Sequence, residues 1–220
     1  MAGKRRKSGL TALEELASVA GPALARGLPP LSHPILLEHP QRGIELGALL
    51  AKRNGFYAFD AALHVFPAGI AESGTMDLDH WNAPTLWRDA YGELAKDCVF
   101  FAEDIFGGQF CLWGKAVYFF EPETGEREVV ASTLEGWAGL VLDEYAALLG
   151  WPLAHTWQLE HGALLPGKRL VPKKPFVLGG EYALDNLQVA DAVEAMRLRG
   201  SIALQIKDMP DGTKVSVKGE

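Results

Sequence analysis

Cysteine is scarce in this chain, whose 220 residues include only Cys98 and Cys111. Both lie in apolar runs, CVFF and FCLW, without the paired ligand spacing of a zinc site. Free cysteine is among the most buried residue types, so we expect two buried thiols in a reducing compartment, with a disulfide as the alternative. If the first hairpin is symmetric about its turn, the two cysteines lie diagonally. A diagonal Cα separation of roughly 7–8 Å is too long for an unstrained disulfide.

Long hydrophobic runs are also lacking. No apolar stretch reaches the ~18 residues that a membrane-spanning helix needs. The basic cluster near the N-terminus is not followed by the apolar core of a secretory signal. We therefore expect a cytoplasmic protein without membrane association.

Basic residues are few outside the first seven positions. Lys4, Arg5, Arg6 and Lys7 form a basic cluster without any acidic residue beside it, and the remainder holds 17 basic and 28 acidic residues, a net charge of −11. An acidic body repels phosphates and attracts basic partners. The sequence therefore disfavours nucleic acid as a partner and favours a basic protein.

The length and composition are those of a folded chain. Hydrophobic residues make up 48% and charged residues 22%, so disorder over most of the length is not expected. A chain of this length forms one sizeable domain or two small ones. We predict a disordered, solvated basic tail over residues 1–10 and a single domain over residues 11–220, with a localisation or anionic-surface tag as the alternative role of the tail.

The N-terminal part is expected to be helical. Thr11 and Glu14 have the capping-box spacing, which predicts a helix over residues 11–26 that is broken or kinked at Gly21-Pro22. Residues 27–40 contain four prolines and predict a connector without regular helix. A second helix is predicted over residues 43–53, with Asn54-Gly55 as its stop.

Short apolar runs separated by turn residues predict an antiparallel meander in the centre. Its strands are expected at residues 98–103, 109–113, 116–121 and 127–132, with a further short strand near residues 63–66. Between them, residues 68–84 are predicted to be a loop and residues 85–95 a short helix.

The C-terminal part predicts more helices. Ser132 or Thr133 is expected to cap a helix to about residue 149, and another helix covers residues 153–161. Residues 162–183 predict a long irregular segment, and Asp185 is expected to cap a helix that runs to about residue 207. Residues 213–218 alternate apolar and polar side chains, which is typical of a half-buried strand. The sequence thus predicts an α+β fold with a central antiparallel meander sheet flanked by N- and C-terminal helices.

One segment resembles a nucleotide-binding loop. The run GALLPGK at residues 162–168 matches the start of the P-loop pattern, but Arg169 follows where magnesium binding requires Ser or Thr. Pro166 removes a backbone amide, and the residues that follow cannot open the required helix. We interpret this segment as a basic surface loop.

The other polar clusters do not form a complete catalytic or metal site. His155 and His161 are six residues apart, so they diverge around a helix instead of converging on a metal, and Asp77, Asp79 and His80 lack the fuller calcium loop. Glu103 and Asp104 are adjacent on a strand and point to opposite faces. The sequence therefore predicts no catalytic residues, no metal site and no cofactor, and the chain is not expected to be an enzyme.

Several stretches resemble members of the SUKH superfamily, which includes yeast cell-wall-synthesis regulators and many bacterial immunity proteins. They are RNGFYAFD and LHVFP at residues 53–60 and 63–67, FAEDIFGGQF at 101–110, PETG at 122–125, the helix that carries Trp137, and the region from FVLGGEY at 176–182 to Asn186-Leu187. The resemblance spans about residues 40–218. It does not cover the basic tail or the proline-rich connector.

The resemblance implies an α+β fold and protein binding, commonly of a toxin domain made by the same or a neighbouring cell. It supplies no catalytic residues. The residues that match its motif positions are interpreted as structural: Phe101, Asp104, Gly107, Gly108, Phe110 and Trp137.

These observations favour a bacterial immunity protein that binds and neutralises a basic toxin or effector domain. The alternatives are a regulatory scaffold that binds a cellular enzyme, and a small-molecule or nucleotide-binding enzyme that uses the loop at residues 162–169. The expected partner-binding residues are acidic, three of them near the edge of the meander and two in a loop: Glu103, Asp104, Glu121, Asp77 and Asp79.

Overall fold

The computed structural model describes residues 9–27, 33–69, 71 and 75–209. The tail expected over residues 1–10 lies outside this range except for its last two residues, and the strand expected over residues 213–218 lies wholly outside it.

The first helix, α1 (Ala12–Val19), begins at the predicted capping box. The Thr11 side chain accepts a hydrogen bond from the Glu14 amide, and the Glu14 carboxylate accepts one from the Thr11 amide at 2.9 Å. The helix ends well before residue 26, so its predicted length is wrong. Ala20 is extended, and the Gly21 amide donates to the Tyr57 carbonyl at 2.8 Å, which ties the chain to the sheet instead.

Two helices with proline in the first turn follow, α2 (Pro34–Leu37) and α3 (Pro40–Lys52). Proline suits this position because its fixed φ is helical and its missing N–H has no partner in a first turn. The connector therefore contains one helical turn that the sequence did not predict, while the helix expected at residues 43–53 is confirmed with an earlier start.

The central sheet is a six-stranded antiparallel meander in the order β1-β2-β3-β4-β5-β6. Its strands are β1 (Phe56–Ala58), β2 (Leu63–Val65), β3 (Val99–Glu103), β4 (Gln109–Trp113), β5 (Ala116–Phe120) and β6 (Arg127–Ala131). The strands β2 to β6 agree with the predicted strands within one residue at each end, whereas β1 was not predicted. The α+β fold class is therefore confirmed, with helices before and after the sheet.

The meander is covered on both faces. Adjacent strand residues point to opposite faces. The Phe100 ring contacts Trp87, and the Phe101 ring contacts Trp137. Trp87 belongs to the segment before β3, while Trp137 lies on α5 (Leu134–Leu148), whose N-terminus is capped by Thr133, one of the two predicted caps. The core therefore has two aromatic layers, one on each side of β3.

The segment before β3 differs from its prediction. Residues 78–82 form a short helix, α4 (Leu78–Asn82), within the predicted loop, and the helix expected over 85–95 is two 3-10 turns, Arg88–Ala90 and Gly92–Ala95. The Arg88 guanidinium donates to the carbonyls of Asn82 and Ala95, which holds the segment in this compact path.

A second, two-stranded sheet was not predicted. After α6 (Trp151–His161), β7 (Lys168–Pro172) pairs antiparallel with β8 (Leu187–Asp191), so the expectation of an irregular segment over residues 162–183 is wrong. Two 3-10 turns lie between these strands, Phe176–Leu178 and Leu184–Asn186.

The last helix, α7 (Ala192–Ile206), is capped by Asp191 and not by Asp185 as expected. The Asp191 side chain accepts from the amides of Val193 and Glu194, and the residues before it are held extended by pairing with β7. No helix in the described ranges is long and apolar enough to cross a bilayer.

Candidate functional site

Two turns of the meander meet at one edge of the sheet. The register pairs Gln109 with Phe120, which places the β3–β4 turn beside the β5–β6 turn. The first turn carries Asp104 and the second begins with Glu121. The structure therefore brings these two sequence-predicted acids together.

Asp104 organises the first turn. Its Oδ1 accepts hydrogen bonds from the amides of Phe106 (2.8 Å) and Gly108 (2.7 Å). Gly107 has φ +82°, which favours glycine, and a Cβ at Gly108 would overlap the Phe119 ring. The two glycines thus allow the turn to close tightly around the Asp104 carboxylate.

The two turns line a cavity of about 190 Å³. The loop between β7 and β8 contributes Phe176 and Tyr182, whose rings stack at 3.8 Å between centroids. Phe106 meets both rings edge to face, at 5.8 and 5.6 Å. The cavity therefore combines an aromatic wall with two carboxyl groups, and we refer to it as the aromatic–acidic cavity.

Burial shifts the ionisation of the polar groups in this cavity. It raises the pKa of Asp104 to about 8, although the hydrogen bonds from the Gly108 and Phe106 amides lower it. Burial also raises the pKa of Glu121, and that of Tyr182 to about 12. An empty cavity therefore holds less negative charge at neutral pH than its two carboxyl groups suggest.

Arg199 on α7 also lines the cavity, but its donors point elsewhere. Its Nη1 donates to the Phe106 carbonyl at 2.6 Å, its Nε donates to the Ala195 carbonyl, and its Nη2 contacts the Met196 sulfur. Among the described residues, Asp104 and Glu121 form no ion pair with Arg199 or with any other base. The guanidinium of Arg199 thus fixes the first turn, and its charge acts on both carboxyl groups without pairing directly with either of them.

Glu103, the next predicted residue, lies in the core. Its side chain is 2% exposed and its Oε1 lies 2.6 Å from Nη2 of Arg169 and 3.0 Å from Nδ1 of His64. Its Oε2 accepts from Gln109. Burial alone would raise the pKa of Glu103, but Arg169 and His64 lower it to about 2. This carboxylate is not accessible to a partner in the described structure.

Arg169 itself corrects the prediction of a basic surface loop. It lies on β7 and is 1% exposed. Lys168 opens the same strand, so a strand stands where the P-loop pattern requires a helix.

Asp77 and Asp79 lie apart from the cavity. Asp77 caps α4 by accepting from the His80 amide, and its other oxygen accepts from the His80 ring at 2.7 Å. Asp79 is half exposed and pairs with His33 at 3.1 Å. Their roles in partner binding stay predictions.

His155 and His161, the two histidines considered as metal ligands, make separate contacts. His155 contacts Asp60 at 2.9 Å, while His161 stacks on Trp157. Within the described ranges, no group of three or more His, Cys, Asp or Glu side chains is arranged to hold a metal ion. Both cysteines are buried free thiols there.

Sequence reasoning missed the aromatic wall and Arg199. Phe176 and Tyr182 lie in the stretch 176–182, which carries part of the family resemblance, and that was the available signal for them. Arg199 sits at an ordinary position of a C-terminal helix, and its contact with the Phe106 carbonyl depends on the tertiary structure.

Neither a protein-family model nor a curated protein matches the chain. Among solved structures, the chain is similar to Atu4351 from Agrobacterium tumefaciens, whose crystal structure aligns with a TM-score of 0.56 over 86% of this chain and 87% of that chain, at 12% sequence identity. At this identity the similarity concerns the fold.

Proposed function

We propose that the chain is a non-enzymatic protein-binding module of the cytoplasm, and specifically an immunity protein that binds and neutralises a basic toxin domain. The observation that carries the proposal is the charge of the surface. Among the described residues, sixteen acidic side chains are exposed against eight basic ones. Such a surface attracts a basic partner over a distance and accelerates its association.

The resemblance to the SUKH superfamily supports the same proposal, because many of its bacterial members are immunity proteins. A toxin that acts on nucleic acids needs a basic surface to contact phosphates. An acidic protein that covers this surface competes directly with the substrate. A basic nuclease domain is therefore the partner class that fits the charge best.

The test is co-expression of the chain with each toxin-like domain encoded next to its own gene. We expect restored growth with one such domain and a purified complex that weakens as salt increases, because charge steering is screened. Glu126, an exposed carboxylate of the β5–β6 turn, supplies the variant Glu126→Lys, which should weaken the complex, and Lys115→Glu is the control of opposite sign. Growth that stays arrested with every candidate, together with no complex in solution, would overturn the proposal.

The two alternatives give different results. A regulatory scaffold would capture a housekeeping enzyme from the source lysate and would not restore growth. A nucleotide-binding enzyme would show a melting temperature that rises with nucleotide and magnesium. We expect flat melting curves because β7 replaces the helix of a P-loop.

A further inference from the structure

The aromatic–acidic cavity has the size of a single side chain. Its volume of about 190 Å³ lies below the roughly 300–1,000 Å³ of sites for cofactors and drug-sized ligands. A protein partner that presents one long side chain fits it better than a free small molecule does.

The wall of the cavity suits a flat cation. Phe176 and Tyr182 are stacked almost parallel, with an interplanar angle of 11°, and Tyr182 as a whole is 60% exposed, so the stacked pair is not sealed from solvent. Aromatic faces attract cations through their quadrupoles, and a planar guanidinium also stacks on them.

The opposite side offers carboxylate oxygens. Asp104 is 4% exposed, and no hydrogen bond from the described residues reaches its Oδ2, since both of its amide donors contact Oδ1. Glu121 uses Oε1 to accept from the Glu123 amide, and its Oε2 is likewise without a donor from this range. Neither oxygen belongs to the fully buried acceptors that lack a partner, so both can accept a hydrogen bond from a donor that enters the cavity.

One cation already lines the cavity and must be taken into account. Arg199 opposes a second positive charge, but its donors are directed to the Phe106 and Ala195 carbonyls. Glu123, which is buried next to Glu121, adds a further negative charge nearby. The acidic groups around the cavity therefore outnumber the basic one.

We propose that this cavity binds the guanidinium group of an arginine side chain presented by the protein partner, with Asp104 and Glu121 accepting its hydrogen bonds and an outer ring face of the stacked Phe176–Tyr182 pair contacting it. The inference rests on the proposed protein-binding function and names the chemical group of the partner that enters the cavity. Arginine is enriched in the residues that dominate interface energies.

The test uses N-acetyl-L-arginine amide as the probe and the isotope-labelled full chain. Binding is followed by the backbone amide signals of Gly108, which lines the cavity, and of its neighbour Gly107 in the same turn. The neutral isostere N-acetyl-L-citrulline amide and the ammonium analogue N-acetyl-L-lysine amide are titrated in parallel. We expect saturable shifts with the arginine probe and at least about tenfold weaker binding of both analogues.

Variants assign the contacts. Glu121→Gln and Tyr182→Leu are each expected to weaken probe binding by about tenfold or more. Glu128→Gln, which makes the same change at an exposed position of β6, is expected to leave it unchanged. Dispersed amide spectra verify that each variant is folded.

Three results would overturn the inference. The first is the absence of saturable binding of the arginine probe, and the second is that either analogue binds as tightly as this probe. The third is that Glu121→Gln and Glu128→Gln bind the arginine probe with equal affinity. The outcome is separable from the proposed function. If Glu121→Gln neutralises the toxin as well as the parent protein does, the arginine-binding role of the cavity is contradicted and the immunity function stands. If the probe binds but no toxin partner is found, the immunity function is contradicted and the arginine-binding role stands.

Discussion

Glu103 on β3 and Arg169 on β7 form an ion pair across 2.6 Å, and their side chains are only 2% and 1% exposed. The pair joins the meander to the two-stranded sheet, and His64 on β2 adds a hydrogen bond to the same carboxylate oxygen. Two charges removed from water must satisfy each other, so this contact fixes how the small sheet docks.

Glu103→Gln removes one partner and leaves the Arg169 charge buried. Such a loss typically costs about 3–5 kcal/mol, and we expect the free energy of unfolding to fall by that order. Urea unfolding measures it. The control is Glu93→Gln, which breaks the exposed pair with Lys96 and should give no measurable change. Equal midpoints for the two variants would contradict a structural role of the buried pair.

His64 is expected to contribute a loss of folding stability in mild acid. Burial is the largest influence and lowers the pKa of His64 below its ordinary 6.5, although Glu103 acts in the opposite direction. Below pH 6.5 the unfolded chain binds a proton at this position that the folded chain does not, so the His64 contribution to the free energy of unfolding decreases as the pH falls. Asp104 and Glu121 act in the opposite direction in this window, because their raised pKa values let the folded chain bind protons that the unfolded chain releases.

The measurement is the free energy of unfolding of the parent and of His64→Gln between pH 8 and about pH 5. Glutamine keeps a donor for Glu103 and does not titrate, so the stability advantage of the parent over His64→Gln should decrease as the pH falls, while the contributions of Asp104 and Glu121 are common to both proteins. The Glu103 contribution is separate, because a pKa lowered from 4.5 to about 2 acts only in stronger acid. Parallel curves for both proteins would contradict the assignment to His64.

Two glycines of α3 are expected to respond in opposite ways. A Cβ at Gly43 would overlap the Leu36 carbonyl, whereas a Cβ at Gly47 would meet Leu36 Cδ1 at an ordinary 3.5 Å. Gly43→Ala should destabilise the fold by about 1–3 kcal/mol. Gly47→Ala should be neutral or stabilise it by up to about 1 kcal/mol, since alanine favours a helix. Thermal unfolding of both variants checks the contrast.

The meander was predictable because its information is local. Each strand is a short apolar run, and turn residues such as Gly107-Gly108 and the PETG stretch separate neighbouring strands. Local hydrogen bonds also identify helix starts, which is why the cap Thr11 was predicted correctly and the second cap was narrowed to Ser132 or Thr133, of which the structure shows Thr133.

The small sheet and the ionic core were not predictable from local patterns. The strand β7 contains Lys168, Arg169 and Pro172, a composition that resembles a surface loop, and its partner β8 lies beyond two further turns. The alternation of faces at Glu103 and Asp104 was foreseen, but the basic group that neutralises Glu103 comes from a distant segment. Nonlocal pairing of this kind leaves no periodic signal in one sequence.

The pH dependence of probe binding gives a last prediction for the aromatic–acidic cavity. With a pKa of about 8, Asp104 is mostly protonated in the empty cavity at pH 6, and a bound guanidinium favours its ionised form. Affinity for N-acetyl-L-arginine amide should therefore rise from pH 6 to pH 8, by up to about tenfold for each unit of pH, while arginine stays charged. Glu121 acts in the same direction, because burial raises its pKa too, whereas Tyr182, with a pKa of about 12, stays neutral. In Asp104→Asn the affinity should be lower and its pH dependence reduced, and an unchanged pH profile in this variant would show that Asp104 does not contact the bound cation.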